Sequence, residues 1–306
     1  MIAALAGSAT LVAAVAVGVV LTKSDGAAAD MVNPLAKVDL TKLRSTDWCA
    51  VMKEPLVPSL GEWTTKPESA EWGSCTGTAG RQRFELRVAR LEGYRDNGDR
   101  VSGVPLLEDV AAEKEGCARA LVPAPMEPQF GITVRVQGEQ PGDKPCDVAE
   151  KAAAAVADRA ENGLPLLPDI RNSLARLDPC SLVRPSEIKL SVGPKVPGTP
   201  DTAHSCTWFG VNSLTLTLER TEPFVDPTKP IAVEAGGGRV VYVDENELSG
   251  TECTRRAIYR VVDADTAEVV RVRMINPSDV RPEGKCLAAV DIVDHVYANL
   301  PPKVSR

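Results

Sequence analysis

Eight cysteines and two histidines are the residues of this chain best suited to chemistry beyond packing. The cysteines are Cys49, Cys75, Cys117, Cys146, Cys180, Cys206, Cys253 and Cys286. Zinc sites draw their sulfur ligands from close pairs such as C-x-x-C, and no such pair occurs. An even number of scattered cysteines downstream of an export-type segment points instead to a disulfide framework. Of the histidines, His204 adjoins Ser205-Cys206 and His295 lies between Ile292 and Val296. Neither stands in a G-x-S-x-G or comparable setting, so both read as structural.

The other candidates carry no stronger signal. Gly236-Gly237-Gly238 lacks the Lys and Ser/Thr of a phosphate loop and runs into the strand-like Arg239-Val240-Val241-Tyr242, so a glycine turn is expected. Asp96-Asn97-Gly98-Asp99 and Asp244-Glu245-Asn246-Glu247 offer oxygens of the kind calcium takes, but with no calcium-loop spacing; both read as solvated turns. Trp63, Trp72 and Trp208 have the shape to line a sugar or peptide site, although packing on a disulfide is the simpler role for Trp72 and Trp208, which flank cysteines. Catalytic, cofactor-binding and metal-ligating residues are therefore all expected to be absent, and the chain reads as a non-enzyme.

The elements that position the cysteines come twice. Cys49 to Cys75 spans 26 positions, as does Cys180 to Cys206; the middle gaps are 42 and 47, and the last gaps 29 and 33. Ser74-Cys75-Thr76 matches Ser205-Cys206-Thr207. Alternating apolar residues follow, Phe84, Leu86 and Val88 in one half and Leu214, Leu216 and Leu218 in the other, the period of a half-buried strand. Val134-Arg135-Val136 is matched with Val270-Arg271-Val272. A Gly/Pro/Lys turn then precedes the last cysteine of each half, and a helix follows: Val148, Ala152, Ala155 and Val156 form one apolar face, and Ala289, Ile292, Val293, Val296 and Leu300 the other. Both helices stop at Leu-Pro, at Leu164-Pro165 and Leu300-Pro301.

These features predict an α+β fold: two tandem copies of an antiparallel-sheet-plus-helix domain with two disulfides each, over residues 43–168 and 169–306, joined by a stiff proline-bearing hinge near Pro165 and Pro168. The near-constant outer gaps favour bridges between neighbours: Cys49–Cys75, Cys117–Cys146, Cys180–Cys206 and Cys253–Cys286. Residues 23–42 read as a membrane-proximal spacer. Residues 1–22 read as a transmembrane anchor or signal segment, because Ile2 to Leu21 carries no charge and no proline and would span about 30 Å as a helix. Ala27-Ala28-Ala29 offers a cleavage site, which would make the protein secreted rather than anchored. The net charge of −7 and the lack of any Lys/Arg-rich run argue against nucleic acid and against a polybasic membrane patch.

Asp178-Pro179-Cys180-Ser181-Leu182, Pro185-Ser186-Glu187-Ile188, Ser205-Cys206-Thr207-Trp208 and a last cysteine on an amphipathic helix ending in Leu-Pro form a recognisable set. The set resembles a domain of unknown function widespread in actinobacterial secreted lipoproteins, and is similar to the extracellular sensor domain of some actinobacterial serine/threonine kinases. The resemblance covers the second half well and the first loosely, where Trp48-Cys49-Ala50 replaces Pro-Cys-Ser-Leu. It implies an extracytoplasmic α+β fold with two disulfides per domain and a ligand cleft, and no enzymatic activity. No kinase motif is present, so a sensing role would need another partner. The expected function is a membrane-tethered ligand-binding or sensing module facing the cell exterior, its partner a small ligand or an envelope protein; a structural or protein-docking role in the envelope is the alternative.

Overall fold

The structure, a computed structural model, describes residues 33–67, 72–111, 116–123, 130–138, 145–168, 170–221, 232–235, 239–243, 251–264, 266–276 and 282–301. The expected anchor or signal segment, the glycines at 236–238 and the acidic stretch 244–247 lie outside them. Among the described residues no helix is long and apolar enough to cross a membrane.

The fold is α+β, with a large antiparallel sheet. Its N-terminal half opens with helices α1 (Leu40–Ser45) and α2 (Trp48–Val51), capped by the carboxylates of Asp39 and Asp47. Strands β1 (Trp63–Pro67), β2 (Ser74–Ala79), β3 (Gln82–Arg90), β4 (Tyr94–Val101), β5 (Val104–Asp109), β6 (Cys117–Leu121) and β7 (Phe130–Gln137) follow, then helix α3 (Pro145–Glu161). The C-terminal half has short helices α4 (Pro179–Leu182) and α5 (Pro185–Ser191). Strands β8 (Thr199–Thr202), β9 (Ser205–Phe209), β10 (Ser213–Thr221), β11 (Ala232–Ala235), β12 (Arg239–Val243), β13 (Glu252–Val261) and β14 (Ala267–Ile275) come next, then helix α6 (Pro282–Ala298). Side by side, the first seven strands run β1-β2-β3-β7-β6-β5-β4 and the last seven β8-β9-β10-β14-β13-β12-β11. A single pairing, Ala89 opposite Thr202, joins β3 to β8 and makes one sheet of fourteen strands.

Each half buries one sheet face under its long helix. Phe84, Leu86 and Val88 pack with Ile132, Val134 and Val136 beneath α3, while Leu214, Leu216 and Leu218 pack with Val270, Val272 and Met274 beneath α6. Each fully buried aliphatic side chain contributes about 1.5–3 kcal/mol. The face of α6 that buries Ala289, Ile292, Val293, Val296 and Leu300 is the one its periodicity marks. In α3 the stripe lies one residue further on: Ala149, Ala152, Ala153, Val156 and Ala157 are buried, and Val148 and Ala155 only partly so. So many alanines leave little apolar contrast between faces, and the sheet decides the rotation.

The bridges join Cys49 to Cys75, Cys117 to Cys146, Cys180 to Cys206 and Cys253 to Cys286, with Cα atoms 5.0–5.3 Å apart. Each ties a helix to a strand, and each loop it closes should contribute about 3–4 kcal/mol in the chain-entropy account.

Three details depart from the sequence reading. Residues 33–42 are not all spacer: Leu35 and Val38 are buried in the N-terminal core, and Asn33 donates from Nδ2 to the Pro123 carbonyl. The stretch at Pro165, expected as a stiff hinge between the halves, is bonded into the N-terminal half: Asp47 N–H donates to Pro165 O, Leu167 N–H to Ser45 O, and Thr46 pairs with Leu166. The Val-Arg-Val match is two residues out. Cys117 stands opposite Val136 and Cys253 opposite Met274, so Val134-Arg135-Val136 corresponds to Val272-Arg273-Met274. A shift of two keeps every side chain on its face, which is why the apolar pattern did not expose it.

Candidate functional site

Alternation along β9, β10, β14 and β13 sends apolar side chains under α6 and polar ones to the opposite face. On that face Thr215 stands opposite Arg273, and Arg273 opposite Thr254; one step along, Ser205, Thr217, Arg271 and Arg256 line up across the four strands. These residues, with Glu252, Thr202, His204 and Leu218 and with Trp72 from the N-terminal half, line a cleft of about 430 Å³.

The charges are organised. Arg273 grips Glu252 through two hydrogen bonds of 2.6 Å, which holds the Glu252 carboxyl below the usual carboxylate range and raises the Arg273 guanidinium. Glu219, almost fully buried, lies 3.3 Å from Arg271 and 4.0 Å from Arg256. Neighbouring hydroxyls are linked, Ser205 to Thr217 at 3.2 Å and Thr207 to Thr215 at 2.8 Å.

The inner end of the cleft is where the two halves meet. Gly73 and His204 each precede the Ser-Cys-Thr strand of their half, and their carbonyls accept from Val88 N–H at 2.8 Å and Leu218 N–H at 2.9 Å. Gly73 has φ +87°, a backbone that favours glycine, and the His204 ring lies 3.7 Å from where a Cβ would sit. Trp72 packs in the C-terminal core with its ring centroid 5.4 Å from that of His204. Ala203 packs in the N-terminal core. Buried Arg44 crosses the junction: its Nε donates to Ala203 O and its Nη2 to Asp178 Oδ1 at 3.0 Å. Burial lowers the Arg44 pKa, opposed by Asp178 and Asp39.

His204 is structural. Its Nε2 donates to Ala175 O at 2.9 Å, and burial pushes its pKa down to about 4, so it is neutral at pH 7. Ser205 Oγ engages Thr217, not the imidazole, so no nucleophile–base couple forms here. His295 is placed elsewhere, with Nδ1 2.7 Å from Glu187 Oε1, and links α6 to α5. Among the described residues no group of three or more His, Cys, Asp or Glu side chains is gathered as a metal site.

Of the tryptophans, Trp72 alone is among the cleft residues. Trp63 donates to Met52 O at 3.1 Å and stacks on Phe84, while Trp208 is buried beside Cys206, both so close to Gly198 that a Cβ there would lie 2.7–2.8 Å from their atoms. Asp96-Asn97-Gly98-Asp99 is an irregularity within β4, not a loop, with the Asp96 carboxylate accepting from Gly98 N–H at 2.8 Å. Sequence reasoning passed over Arg256, Arg271 and Arg273. Their signal was alternation, since Val270-Arg271-Val272-Arg273-Met274 puts both arginines on one face.

No protein-family model matches the chain, and no curated protein matches it. Three solved structures align weakly. DynU16, from the dynemicin biosynthetic locus, covers 86% of this chain and 96% of its own at 13% identity and TM-score 0.18. MucB, in complex with the periplasmic part of MucA, covers 79% and 71% at 11% identity and TM-score 0.17. The di-domain aromatase/cyclase StfQ of steffimycin biosynthesis covers 88% and 94% at 13% identity and TM-score 0.17. At TM-scores this low the likenesses carry no argument.

Proposed function

We propose that the chain is a non-enzymatic, extracytoplasmic binding or sensing module made of two tandem copies of one α+β domain and held at the membrane by residues 1–22. The matching strand orders and helix-to-strand bridges support the duplication. Four disulfides fit an oxidising compartment. The observation that carries the reading is the cleft, whose 430 Å³ lies within the range of about 300–1,000 Å³ typical of small-ligand sites. Its convergent polar groups suit orientation and selectivity, and its histidine is committed to the backbone.

Thermal denaturation of the full chain against a panel of neutral, cationic and anionic small molecules tests this. At least one class should raise the melting temperature, and Thr215→Trp, which fills the cleft, should abolish that rise. No stabilising class, or stabilisation that survives Thr215→Trp, would refute the reading.

A docking role has one observation in its favour. Leu190, Phe209 and Val211 are 86%, 65% and 79% exposed. The bond from Val211 N–H to Val192 O joins the two segments that carry them. A partner seated there would leave the cleft free, so Thr215→Trp would not impair its binding.

A further inference from the structure

We infer that the cleft takes a small molecule bearing an oxyanion, a carboxylate or a phosphate ester, attached to a flat apolar body. The inference rests on the cleft being the ligand site and specifies its ligand. Among the described residues the lining carries Arg256, Arg271 and Arg273 against Glu252 alone. The protein as a whole has a net charge of −7, so this cationic patch runs against its composition.

Arg256 and Arg271 stand directly opposite one another on β13 and β14, and like charges so placed repel. Glu219, on the same sheet face, offsets part of this, one carboxylate serving two guanidiniums. A ligand oxyanion beside them would add to that compensation. Glu252 takes two of the five N–H donors of Arg273 and fixes the plane of its guanidinium, so the remaining donors are presented at little entropic cost. Thr217 adds a hydroxyl that can turn to donate, since Ser205 can take either role in their hydrogen bond. Trp72 supplies the apolar wall, where a flat group would pack against the indole. A cation would meet three guanidiniums.

The test is titration of the full chain with phenyl phosphate, benzoate, phenol and inorganic phosphate, followed by calorimetry. Phenyl phosphate or benzoate should bind saturably, at least about tenfold more tightly than phenol and than inorganic phosphate. The stronger of the two names the oxyanion. Affinity should fall as salt rises. Arg256→Gln should weaken binding by about tenfold while Arg256→Lys, which keeps the charge, loses less. Phenol binding as tightly as either oxyanion, and sensitive to Thr215→Trp, would overturn the oxyanion and leave the cleft as a ligand site. Oxyanion binding unaffected by Thr215→Trp would overturn both. No oxyanion binding in the millimolar range, with a neutral compound still stabilising through the cleft, would overturn this inference alone.

Discussion

In the C-terminal half the sheet face turned away from the long helix holds, among the described residues, a cleft where Arg256, Arg271 and Arg273 stand among hydroxyls. In the N-terminal half the corresponding positions, read from pairing to the third-cysteine strand, hold Ala120, Thr133 and Arg135. Tyr94, Leu91, Leu107 and Val122 close over Ala120 as a small apolar cluster. Burial, with Asp109 nearby, pushes the Tyr94 hydroxyl up to about 12, and Arg135 lies 3.8 Å from Asp109. One strand order thus supports a polar cleft in one half and an apolar cover in the other. The buried face and the cross-links constrain the architecture; the opposite face is free to differ, because a substitution there costs little packing.

The largest effect expected tests whether the cross-links are equivalent. Replacing both cysteines of Cys49–Cys75, or both of Cys180–Cys206, opens a loop of the same 26 positions. Each should cost about 3–4 kcal/mol in chemical denaturation. A loss confined to one half would show that the scaffold is not shared in energetic terms.

Next comes the strand entry, where Gly73 and His204 occupy corresponding places. His204 has a folded pKa of about 4, below its unfolded value of about 6.5. Between those values the unfolded chain binds the proton that the folded chain refuses, so stability falls as pH drops through 6.5 toward 4 and is constant for this group above. The loss should reach about 3 kcal/mol, and His204→Gln should flatten it. An unchanged pH profile in that variant would show that the imidazole is not held neutral at the junction.

Arg44 measures how much the halves depend on each other. Arg44→Met removes the hydrogen bond to Ala203 O and the pair with Asp178, and should cost about 2 kcal/mol in the same denaturation. If the two halves then melt in separate transitions, the sheet pairing at Ala89 and Thr202 is too weak to couple them.

The smallest effect concerns the cleft alone. Glu252→Gln breaks a partly exposed pair, so stability should change by less than about 1 kcal/mol. Oxyanion affinity should rise severalfold as a competing carboxylate disappears. A fall in affinity would mean that the positioning of Arg273 by Glu252 outweighs the competition from its charge.

Local pattern and spacing reached a definite depth into this protein. The repeated cysteine rhythm, the alternation of Leu214, Leu216 and Leu218 and the face of α6 are properties of short stretches, and the amino-acid sequence alone determines them; the stop expected for α3 at Leu164-Pro165 comes earlier, at Glu161, where Gly163 turns the chain at φ +93°. Even there, a stripe of alanines left α3 free to rotate by one residue, and a period of two left the Val-Arg-Val match free to slip by two. Only the tertiary structure decided the rest. The single sheet rests on the one strand pairing of Ala89 with Thr202, and the junction draws on Arg44 meeting Asp178 across 134 positions. The cleft needs strand register to bring Thr217, Arg271 and Arg256 into one row. Each of these is an adjacency between residues distant along the chain, set by hydrogen-bond pairing and by which faces must be buried, and no local periodicity encodes it.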